Sequence, residues 1–516
     1  MKPNELTRLL KSYNPWWNYP TRWFRKDPFI RSFDESILKK EPRLYYHLRK
    51  YIVTPNAYGI VTIRGPRRVG KTTIIKLLIK YLIEEVGINP RHIFYISLDY
   101  DGLSNVRIVD LIKSIAEIDP EDEKYIFIDE ASMRRDWAQA LKNIYDMGLI
   151  EGSCLKIVVT GSHSMDLADA ASRLRGRQGR LASLYNVSGN LVFVPLRFPE
   201  VVEALTQEIN GFLSERRLRI PKHRFKLLLE LSKGNIPETI QYLYDNYFQR
   251  IESILEDYLL HGGYSKAIDE YNKNDEINAS LYSDIASLLI NDSKAAGLDP
   301  ENIRRVLEIL INPSRLSGPL DLSKLEIIGR DEDAKPKSRF GMRDYIDYLR
   351  TTWTFFFSYP EEGKSESCRP NYREQPKCYV LDPFLYHSIY CYLNNISDPF
   401  NNSKKLLNNS TFKGLLVESV VASHLLLSQQ LFAHVPNVEY DRVLMYKKRS
   451  EVNKEIDFVL CLTRGTKQYR FIIESKYRKS MPHMSHENGK IVLTKEVLEV
   501  RDGCVHIPVS LFLLLF

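Results

Sequence analysis

Cysteine and long apolar runs are both scarce in this sequence. Its 516 residues include six cysteines, and none of them form a CxxC pair, which excludes the spacing of a zinc ribbon. Mostly reduced thiols in an intracellular, cytoplasmic chain are the default expectation. The first residues contain no apolar run of the signal-peptide type, and no segment approaches the roughly 18–20 consecutive apolar residues that span a membrane. We therefore expect no membrane partner.

Positive charge is in modest excess. The formal net charge is +8 at pH 7 and the pI is about 8.9, which is compatible with a DNA partner but is also found in many proteins that bind no nucleic acid. Apolar residues make up 44% of the chain and charged residues 27%, and these are globular values. A chain of this length is expected to form three or four domains.

Apolar strands alternate with helical patterns between residues 58 and 195. Continuous runs of Val, Ile and Phe between helices are typical of a parallel sheet that is covered on both faces. This pattern predicts an α/β fold for this part of the chain. The predicted strands are residues 59–65, 92–99, 124–130, 155–162 and 190–196.

A glycine-rich loop follows the first of these strands. Residues 65–73 are GPRRVGKTT, which fits GxxxxGK[ST] and lies between a predicted strand and a predicted helix. Such a loop turns its backbone N–H groups towards phosphate oxygens, and the helix adds its N-terminal dipole. Lys71 is expected to reach the β- and γ-phosphates of ATP, and the Thr72 hydroxyl to ligate Mg²⁺. The predicted nucleotide-binding residues are Gly65, Pro66, Arg67, Arg68, Val69, Gly70, Lys71, Thr72 and Thr73.

An acidic pair ends the buried strand YIFIDE at 125–130. Asp129 would emerge at the carboxyl end of that strand, beside the phosphates, where it is expected to hold Mg²⁺ through water. Glu130 is placed to orient and deprotonate the attacking water. A pair of carboxylates at this position is difficult to explain as part of a core, so we predict a catalytic and metal-binding role.

Polar residues also end the next strand, VVTGS. Thr160 and Ser162 could each contact the γ-phosphate or the attacking water, or simply be a polar strand end. An arginine-rich stretch follows, and Arg177 is the preferred candidate for an arginine finger supplied in trans. The alternative is a solvated basic loop. The other arginines of this stretch are Arg173, Arg175 and Arg180.

These motifs resemble those of a known family. The sequence is similar to the archaeal-type AAA+ ATPases that carry a DUF4143-like C-terminal region. The stretches that carry this resemblance are GPRRVGKTT, YIFIDEAS, VVTGSHS, LRGR, NPWW near the start, HGGYSKAI and KCYVLDPFLYHSI. The resemblance implies a P-loop ATPase with sheet order 5-1-4-3-2 and a helical lid. The chain departs from the family pattern at Ser265, where a proline is usual, and in having no asparagine at the sensor strand.

A second group of charged residues lies near the C-terminus. Glu418 is on a predicted helix, Asp457 on a strand, and Glu474 and Lys476 on the next strand, where the i, i+2 spacing gives them one face. Glu418, Asp457 and Glu474 are the predicted ligands of a divalent cation. Lys476 would position water or stabilise charge on a phosphodiester.

The D…ExK arrangement resembles the PD-(D/E)xK fold of restriction endonucleases and Holliday-junction resolvases. The first motif here is Ile456-Asp457 rather than Pro-Asp. The resemblance implies a restriction-endonuclease-like α/β domain, with a metal-dependent nuclease as one possibility. A structural ion-pair network in an inactive nuclease-like fold is the alternative.

The middle of the chain is similar to a winged helix. Residues 278–357 contain two short helical patterns and then FGMRDYIDYLRTTWTFFF, which we interpret as a third, recognition-like helix. Arg339, Arg343 and Arg350 would lie along it and could contact phosphate or guanine. The same helix could instead be a packing element of the ATPase.

The predicted organisation is α/β with several modules. Residues 1–55 are an aromatic and basic arm, in which Trp16, Trp17, Trp23 and Phe24 must pack on something. The remaining predicted domains are a P-loop ATPase core at 56–197, a helical lid at 198–275, a winged-helix-like module at 276–360, a linker and connecting helix at 361–410, and a PD-(D/E)xK-like domain at 411–516.

Two functional hypotheses follow from these patterns. The first is a Mg²⁺-dependent, DNA-associated ATPase with a nuclease-like C-terminal domain. The second is a STAND-like signalling or scaffold ATPase, in which ATP controls assembly and the C-terminal domain is an inactive docking module. ATP and Mg²⁺ are the expected cofactors in both, and a homo-oligomer is compatible with both.

Overall fold

The structure is a computed structural model of the whole chain. It divides into two compact units, Met1–Val194 and Pro195–Phe516, and each is described by itself. The structure describes residues 3–134, 136–161, 179, 190–314, 316–321, 341–363, 368–432, 440–448, 455–477 and 489–516.

Unit 1 is built on a five-stranded parallel sheet. The strand order is β2-β3-β4-β1-β5, and every neighbouring pair is parallel. This confirms the α/β fold and the order 5-1-4-3-2 implied by the family resemblance. The strands are β1 (Gly59–Arg64), β2 (Ile93–Ser97), β3 (Lys124–Asp129), β4 (Leu155–Thr160) and β5 (Asn190–Val192).

Helices follow the strands because the connections of a parallel sheet must cross over its faces. One face of the sheet, with Phe94, Ile126 and Ile157, packs against the apolar side of two of these helices, which contribute Ile112 and Leu141. Among the residues that the structure describes, the helices of unit 1 are α1 (Pro3–Leu10), α2 (Pro28–Glu35), α3 (Arg43–Val53), α4 (Lys71–Glu84), α5 (Ile108–Ala116), α6 (Trp137–Asp146) and α7 (Leu149–Gly152).

The aromatic arm covers the edge strand β2. The Asn14 side chain pairs with the Tyr95 backbone like a neighbouring strand, because its Oδ1 accepts from Tyr95 N at 2.7 Å and its Nδ2 donates to Tyr95 O at 3.0 Å. Trp16 and Trp17 each donate from Nε1 to Ile93 O at 3.0 Å. Unpaired strand edges expose backbone groups that need partners. The expectation that the arm packs on the protein is confirmed, and the NPWW motif supplies the edge contacts.

Unit 2 begins with a run of helices, as predicted for residues 198–270. They are α8 (Phe198–Leu205), α9 (Gln207–Glu215), α10 (Pro221–Ser232), α11 (Glu238–His261), α12 (Ser265–Asn274), α13 (Ala279–Ala295), α14 (Pro300–Leu310), α15 (Met342–Thr351), α16 (Pro383–Leu393), α17 (Pro399–Leu407), α18 (Ser410–Phe432) and α19 (Val509–Leu515). The apolar residues at the end of the sequence form the helix α19, and they are buried.

A mixed six-stranded sheet ends the chain, in the order β12-β13-β11-β10-β9-β8. The first three strands in sequence form an antiparallel meander, and β11 then pairs parallel with β10. The strands of this sheet are β8 (Leu444–Lys448), β9 (Glu455–Arg464), β10 (Lys467–Lys476), β11 (Lys490–Thr494), β12 (Glu499–Arg501) and β13 (Cys504–Pro508).

The predicted third helix of the middle region is shorter than expected. It ends at Thr351, Trp353 takes a left-handed φ of 56°, and Phe355–Ser358 is a strand, β6, paired antiparallel with β7 (Lys377–Val380). Three consecutive phenylalanines fit a buried strand better than a helix. The described part of the middle region therefore contains the helices α13, α14 and α15, followed by a two-stranded ribbon, and the winged helix stays a prediction.

Two of the six cysteines are joined, and the other four are free, which agrees with the expectation of mostly reduced thiols. Cys368 and Cys461 form a disulfide with a Cα–Cα distance of 6.0 Å, across 93 residues of sequence. The bond packs against Met445, Ile456 and Val459. Their spacing in sequence carries no signal of this pairing, because the two residues meet only when the chain returns through β9.

One helical segment, Ser410–Ser428, has the length and composition to cross a membrane. It is part of α18, and 67% of this segment is buried within the structure. It also carries Lys413 and Glu418. A buried core helix of this kind passes the same criterion as a membrane span.

His261, His387 and His424 of unit 2 are buried, and each ring forms a hydrogen bond with a backbone group. His261, His387 and His424 are each at most 2% exposed. Burial lowers the pKa of His261 and of His387 to about 4. Burial, reinforced by the charge of Arg197, lowers the pKa of His424 to about 3. His424 Nε2 accepts from Phe198 N at 3.0 Å, so this ring must stay unprotonated on that nitrogen.

Replacing His424 with glutamine should reduce the acid sensitivity of the fold. Below pH 6.5 the unfolded chain binds a proton at this position and the folded chain does not. The presence of His424 therefore lowers the free energy of unfolding as the pH falls. Between pH 6.5 and 5.0 the variant should therefore lose about 1.5 kcal/mol less unfolding free energy than the wild type. Denaturant titrations at the two pH values measure this difference. His223→Gln, at a partly exposed position on α10, is the control, and equal losses in wild type and His424→Gln would contradict the assignment.

Candidate nucleotide site and C-terminal charge cluster

The predicted phosphate loop connects β1 to α4, as the motif requires. Gly65 has a φ of 155° and Gly70 a φ of 99°, and a Cβ on Gly65 would lie 1.8 Å from the carbonyl oxygen of Phe193. Both positions therefore need glycine for backbone reasons. Gly70 is the N-cap of α4, so the loop leads directly into the amino end of a 14-residue helix.

Lys71 is held over this loop by its own backbone. Its ammonium donates to Gly65 O at 2.9 Å and to Pro66 O at 2.7 Å, and the residue is only 7% exposed. The lysine is thus fixed at the concave side of the loop, where a phosphate would lie. Within the same loop Val69 is buried, Arg67 is partly buried and Arg68 is exposed.

Asp129 is the centre of the predicted metal-binding set. Its Oδ2 accepts from the Thr72 hydroxyl at 2.8 Å and from the Tyr95 hydroxyl at 2.9 Å. Its Oδ1 accepts from Glu130 N at 3.0 Å and from the Thr160 hydroxyl. The structure therefore brings together three of the predicted residues, Thr72, Asp129 and Thr160, from α4, β3 and β4.

Glu130 takes a backbone conformation that is costly for its residue type. Its φ is 49° and its ψ is 40°, in the left-handed region, and it caps the short turn Ala131–Met133. A non-glycine residue held there costs about 1–3 kcal/mol, and such positions are concentrated at active sites. The conformation turns the chain away from the sheet directly after Asp129, with the Glu130 side chain partly exposed.

Several predicted residues lie outside the described part of the chain. These are Ser162, Arg339 of the middle region, and the arginines of the stretch after Ser162, Arg173, Arg175, Arg177 and Arg180. The arginine-finger role of Arg177 stays a prediction.

Tyr95 is a residue of this site that sequence reasoning missed. Its backbone is bound by Asn14 of the arm, and its hydroxyl binds Asp129. Lys76 lies 3.7 Å from the centre of the Tyr95 ring and 5.3 Å from that of Trp16. Burial lowers the pKa of Lys76 to about 8, against the opposing charges of Asp27 and Asp129. The sequence does contain one signal for Tyr95. It is a tyrosine in the predicted strand at 92–99, which neighbours the strand that ends at Asp129 and Glu130.

The structure also brings together the four charged residues predicted near the C-terminus. Asp457 accepts from Ser475 N at 2.9 Å and from Lys476 Nζ at 3.2 Å. Lys476 Nζ lies 3.9 Å from Glu474 Oε2. Glu418, from α18, joins this group through a lysine that the sequence analysis did not single out.

That lysine is Lys377 of β7. Its Nζ lies 3.2 Å from Glu418 Oε1 and 3.9 Å from Asp457 Oδ1, and it also pairs with Glu455. Burial alone would lower the pKa of Lys377, but these three carboxylates raise it above its ordinary value, so the ammonium stays charged. The Tyr379 hydroxyl, two residues along β7, donates to the same oxygen of Glu418 at 3.1 Å.

A second missed lysine completes the group. Lys490 of β11 is 1% exposed and pairs with Glu474. Sequence reasoning placed Lys377 in a polar linker and did not consider Lys490. The signal for Lys377 was the alternation of KCYV, which puts Lys377 and Tyr379 on one face of a strand.

Comparison with known proteins identifies part of the chain. Residues 57–202 match the model of the AAA domain family, and residues 252–399 match a domain of unknown function, DUF8612. The second match gives no support to the expected DUF4143-like region. An uncharacterized protein of Methanocaldococcus jannaschii, MJ1637, is 28% identical over 149 residues, which are 28% of this chain and 28% of that protein.

Two solved structures are similar at low scores. The Walker-type ATPase PABY2304 of Pyrococcus abyssi is 15% identical with a TM-score of 0.35, covering 67% of this chain and 94% of that one. The Aeropyrum pernix ORC1 protein, solved in complex with DNA, is 13% identical with a TM-score of 0.27, covering 71% and 92%. Similarity at this level does not define a function.

The family match agrees with the observed geometry. The loop between β1 and α4 has the glycine conformations of a phosphate loop, and the sheet order is that of the expected ATPase core. Residues 57–202 therefore match the AAA domain family in sequence, and they contain the phosphate loop and the sheet order expected of a P-loop ATPase core.

Proposed function

We propose that this protein hydrolyses ATP with Mg²⁺, using Lys71, Thr72, Asp129 and Glu130. The observation that carries the proposal is the 2.8 Å contact between the Thr72 hydroxyl and Asp129 Oδ2. A hydroxyl and a carboxylate that converge beside a phosphate loop are the hard oxygen donors that Mg²⁺ prefers. These two residues would hold the ion, which would neutralise charge on the phosphates when bound.

The other residues have separable roles in this proposal. Lys71 and the loop N–H groups bind the phosphates, because the loop conformation and the lysine contacts place them together. Glu130 orients the attacking water and accepts its proton, and its strained backbone sets the direction of its side chain. Thr160 contacts Asp129 and is the proposed sensor of the γ-phosphate. An arginine finger from Arg177 of a second copy remains part of the proposal.

Lys71→Ala should abolish ATP binding. The lysine supplies the positive charge that the structure holds over the concave side of the loop. Fluorescent ATP-analogue titration measures the affinity. Lys113→Ala, which removes an exposed lysine of α5, is the matched control. Unchanged affinity in the Lys71 variant would refute the phosphate-loop assignment.

Glu130→Gln should bind ATP normally but turn it over at least about 100-fold more slowly, because the amide cannot accept the proton of the attacking water. Steady-state phosphate release, together with the binding titration, separates the two effects. Glu117→Gln, at an exposed position after α5, should leave turnover unchanged. A normal rate in Glu130→Gln would mean that another residue is the base.

Tyr95→Phe should raise the Mg²⁺ concentration needed for half-maximal ATPase activity by about 10-fold, since residues that orient a metal ligand typically contribute that much. The variant removes one hydrogen bond to Asp129 Oδ2 and leaves the backbone contacts of Asn14 intact. The matched control is Tyr125→Phe, which removes a buried hydroxyl on β3 that binds Glu123. A purely structural role for Tyr95 would give the same Mg²⁺ dependence in both variants.

Two roles for unit 2 are proposed for testing. DNA association is supported by Arg343, which is exposed on α15. Arg350, from the same helix, supports it less, because its guanidinium binds Asp441 at 2.7 and 2.8 Å. The scaffold role is supported by the lysines that engage the C-terminal carboxylates. ATP turnover with and without a panel of single-stranded, duplex and branched DNA and RNA distinguishes the two, because only the first role predicts stimulation.

A further inference from the structure

The C-terminal charge cluster is a closed set of ion pairs. Four carboxylates, those of Glu418, Glu455, Asp457 and Glu474, face three ammonium groups. The lysines come from three different strands, β7, β10 and β11, and the group therefore carries about one net negative charge rather than four. The question is whether a divalent cation fits among them, as the endonuclease resemblance would require.

Lys377 lies where such a cation would have to bind. Its ammonium contacts carboxylates from both α18 and β9, which are the elements that carry two of the three predicted metal ligands. Its side chain is 4% exposed, and a buried ammonium is stable only when it is paired. The three carboxylates are what stabilise it there, so Lys377 and a metal ion compete for the same oxygens.

Glu474 and Asp457 have further partners of their own. Lys490 binds Glu474, and its side chain is 1% exposed. Asp457 Oδ2 accepts from both Ser475 N and Lys476 Nζ. The carboxylates of Glu474 and Asp457 therefore face lysines of their own sheet, and do not converge on one point where a cation could bind both.

The spacing of the carboxylates agrees with this. In the part of the chain that the structure describes, the group with three ligand atoms within 4.8 Å of one another is His92, Asp119 and Asp122 of unit 1. Glu418, Asp457 and Glu474 do not form such a group. A divalent ion needs several converging oxygens, and placing two further positive charges beside a buried ammonium is strongly repulsive.

We infer that the ammonium of Lys377 takes the place of the divalent cation of this nuclease-like fold, so that the C-terminal cluster is a metal-free core that does not cleave phosphodiesters. The charge pairs then hold β7 and α18 to the sheet. This inference is independent of the ATPase proposal, because it concerns different residues in a different unit.

Mn²⁺ binding to the full chain without nucleotide tests the inference. Lys377→Met keeps the length of the side chain and removes its charge, so it should gain one Mn²⁺ site relative to the wild type. The double variant Lys377→Met/Asp457→Asn should lose that site again. Lys467→Met, which replaces an exposed lysine of β10, should gain none. Isothermal titration or the paramagnetic resonance of free Mn²⁺ counts the sites.

The wild type provides a second arm that does not depend on the folding of the Lys377 variant. Wild type and Asp457→Asn should bind equal numbers of Mn²⁺ ions, and neither should cleave single-stranded, duplex or branched DNA in Mn²⁺ or Mg²⁺. One Mn²⁺ site lost on Asp457→Asn alone, or metal-dependent cleavage that this substitution removes, would overturn the inference. A folded Lys377→Met variant with no added site would overturn it as well.

Discussion

The carboxylate of Asp129 is the contact on which the nucleotide site depends. It joins four elements of unit 1, because its two oxygens accept from Thr72 of α4, Tyr95 of β2, Thr160 of β4 and the backbone after β3. A parallel sheet alone would bring these strand ends to one edge. The hydrogen bonds then fix which oxygen faces which neighbour, and so determine the direction that is left for a cation.

The aromatic arm is connected to this contact through one residue. Asn14 binds the backbone of Tyr95, Trp16 binds the carbonyl of Ile93, and Tyr95 reaches Asp129 from the same strand. The arm therefore has two effects. It covers the exposed edge of the sheet, and it fixes the strand whose tyrosine orients the carboxylate. The NPWW motif, which the sequence indicated only as a packing feature, is thus connected to the nucleotide site through a single residue, Tyr95.

The parts predicted from the sequence are those where a short motif fixes the backbone. Gly65 and Gly70 specify the loop, the apolar run before Asp129 specifies a buried strand, and the resemblance built on them gave the correct sheet order. Helical periodicity gave a wrong prediction at Phe355–Ser358, where the chain forms a strand shortly after the helix ends. It also gave no sign of the Cys368–Cys461 bond, or of the contacts of Tyr95 and Lys377. Those depend on residues 34 to 93 positions apart in the chain, and no local pattern records them.

The two carboxylate sites show why a motif alone does not determine chemistry. The four hydrogen bonds that Asp129 accepts come from three hydroxyls and one backbone amide, and neutral donors orient a carboxylate without cancelling its charge. Asp457 and Glu474 accept instead from lysines, and Glu418 is bound by a buried one. Ammonium donors supply the charge that a metal ion would otherwise supply. The D…ExK residues lie on neighbouring strands of the C-terminal sheet, and the lysines of β7 and β11 pair with carboxylates that a cation would need. By this criterion the two sites differ: Asp129 accepts its four hydrogen bonds from neutral donors beside the phosphate loop, whereas the carboxylates of the C-terminal cluster are paired with lysines.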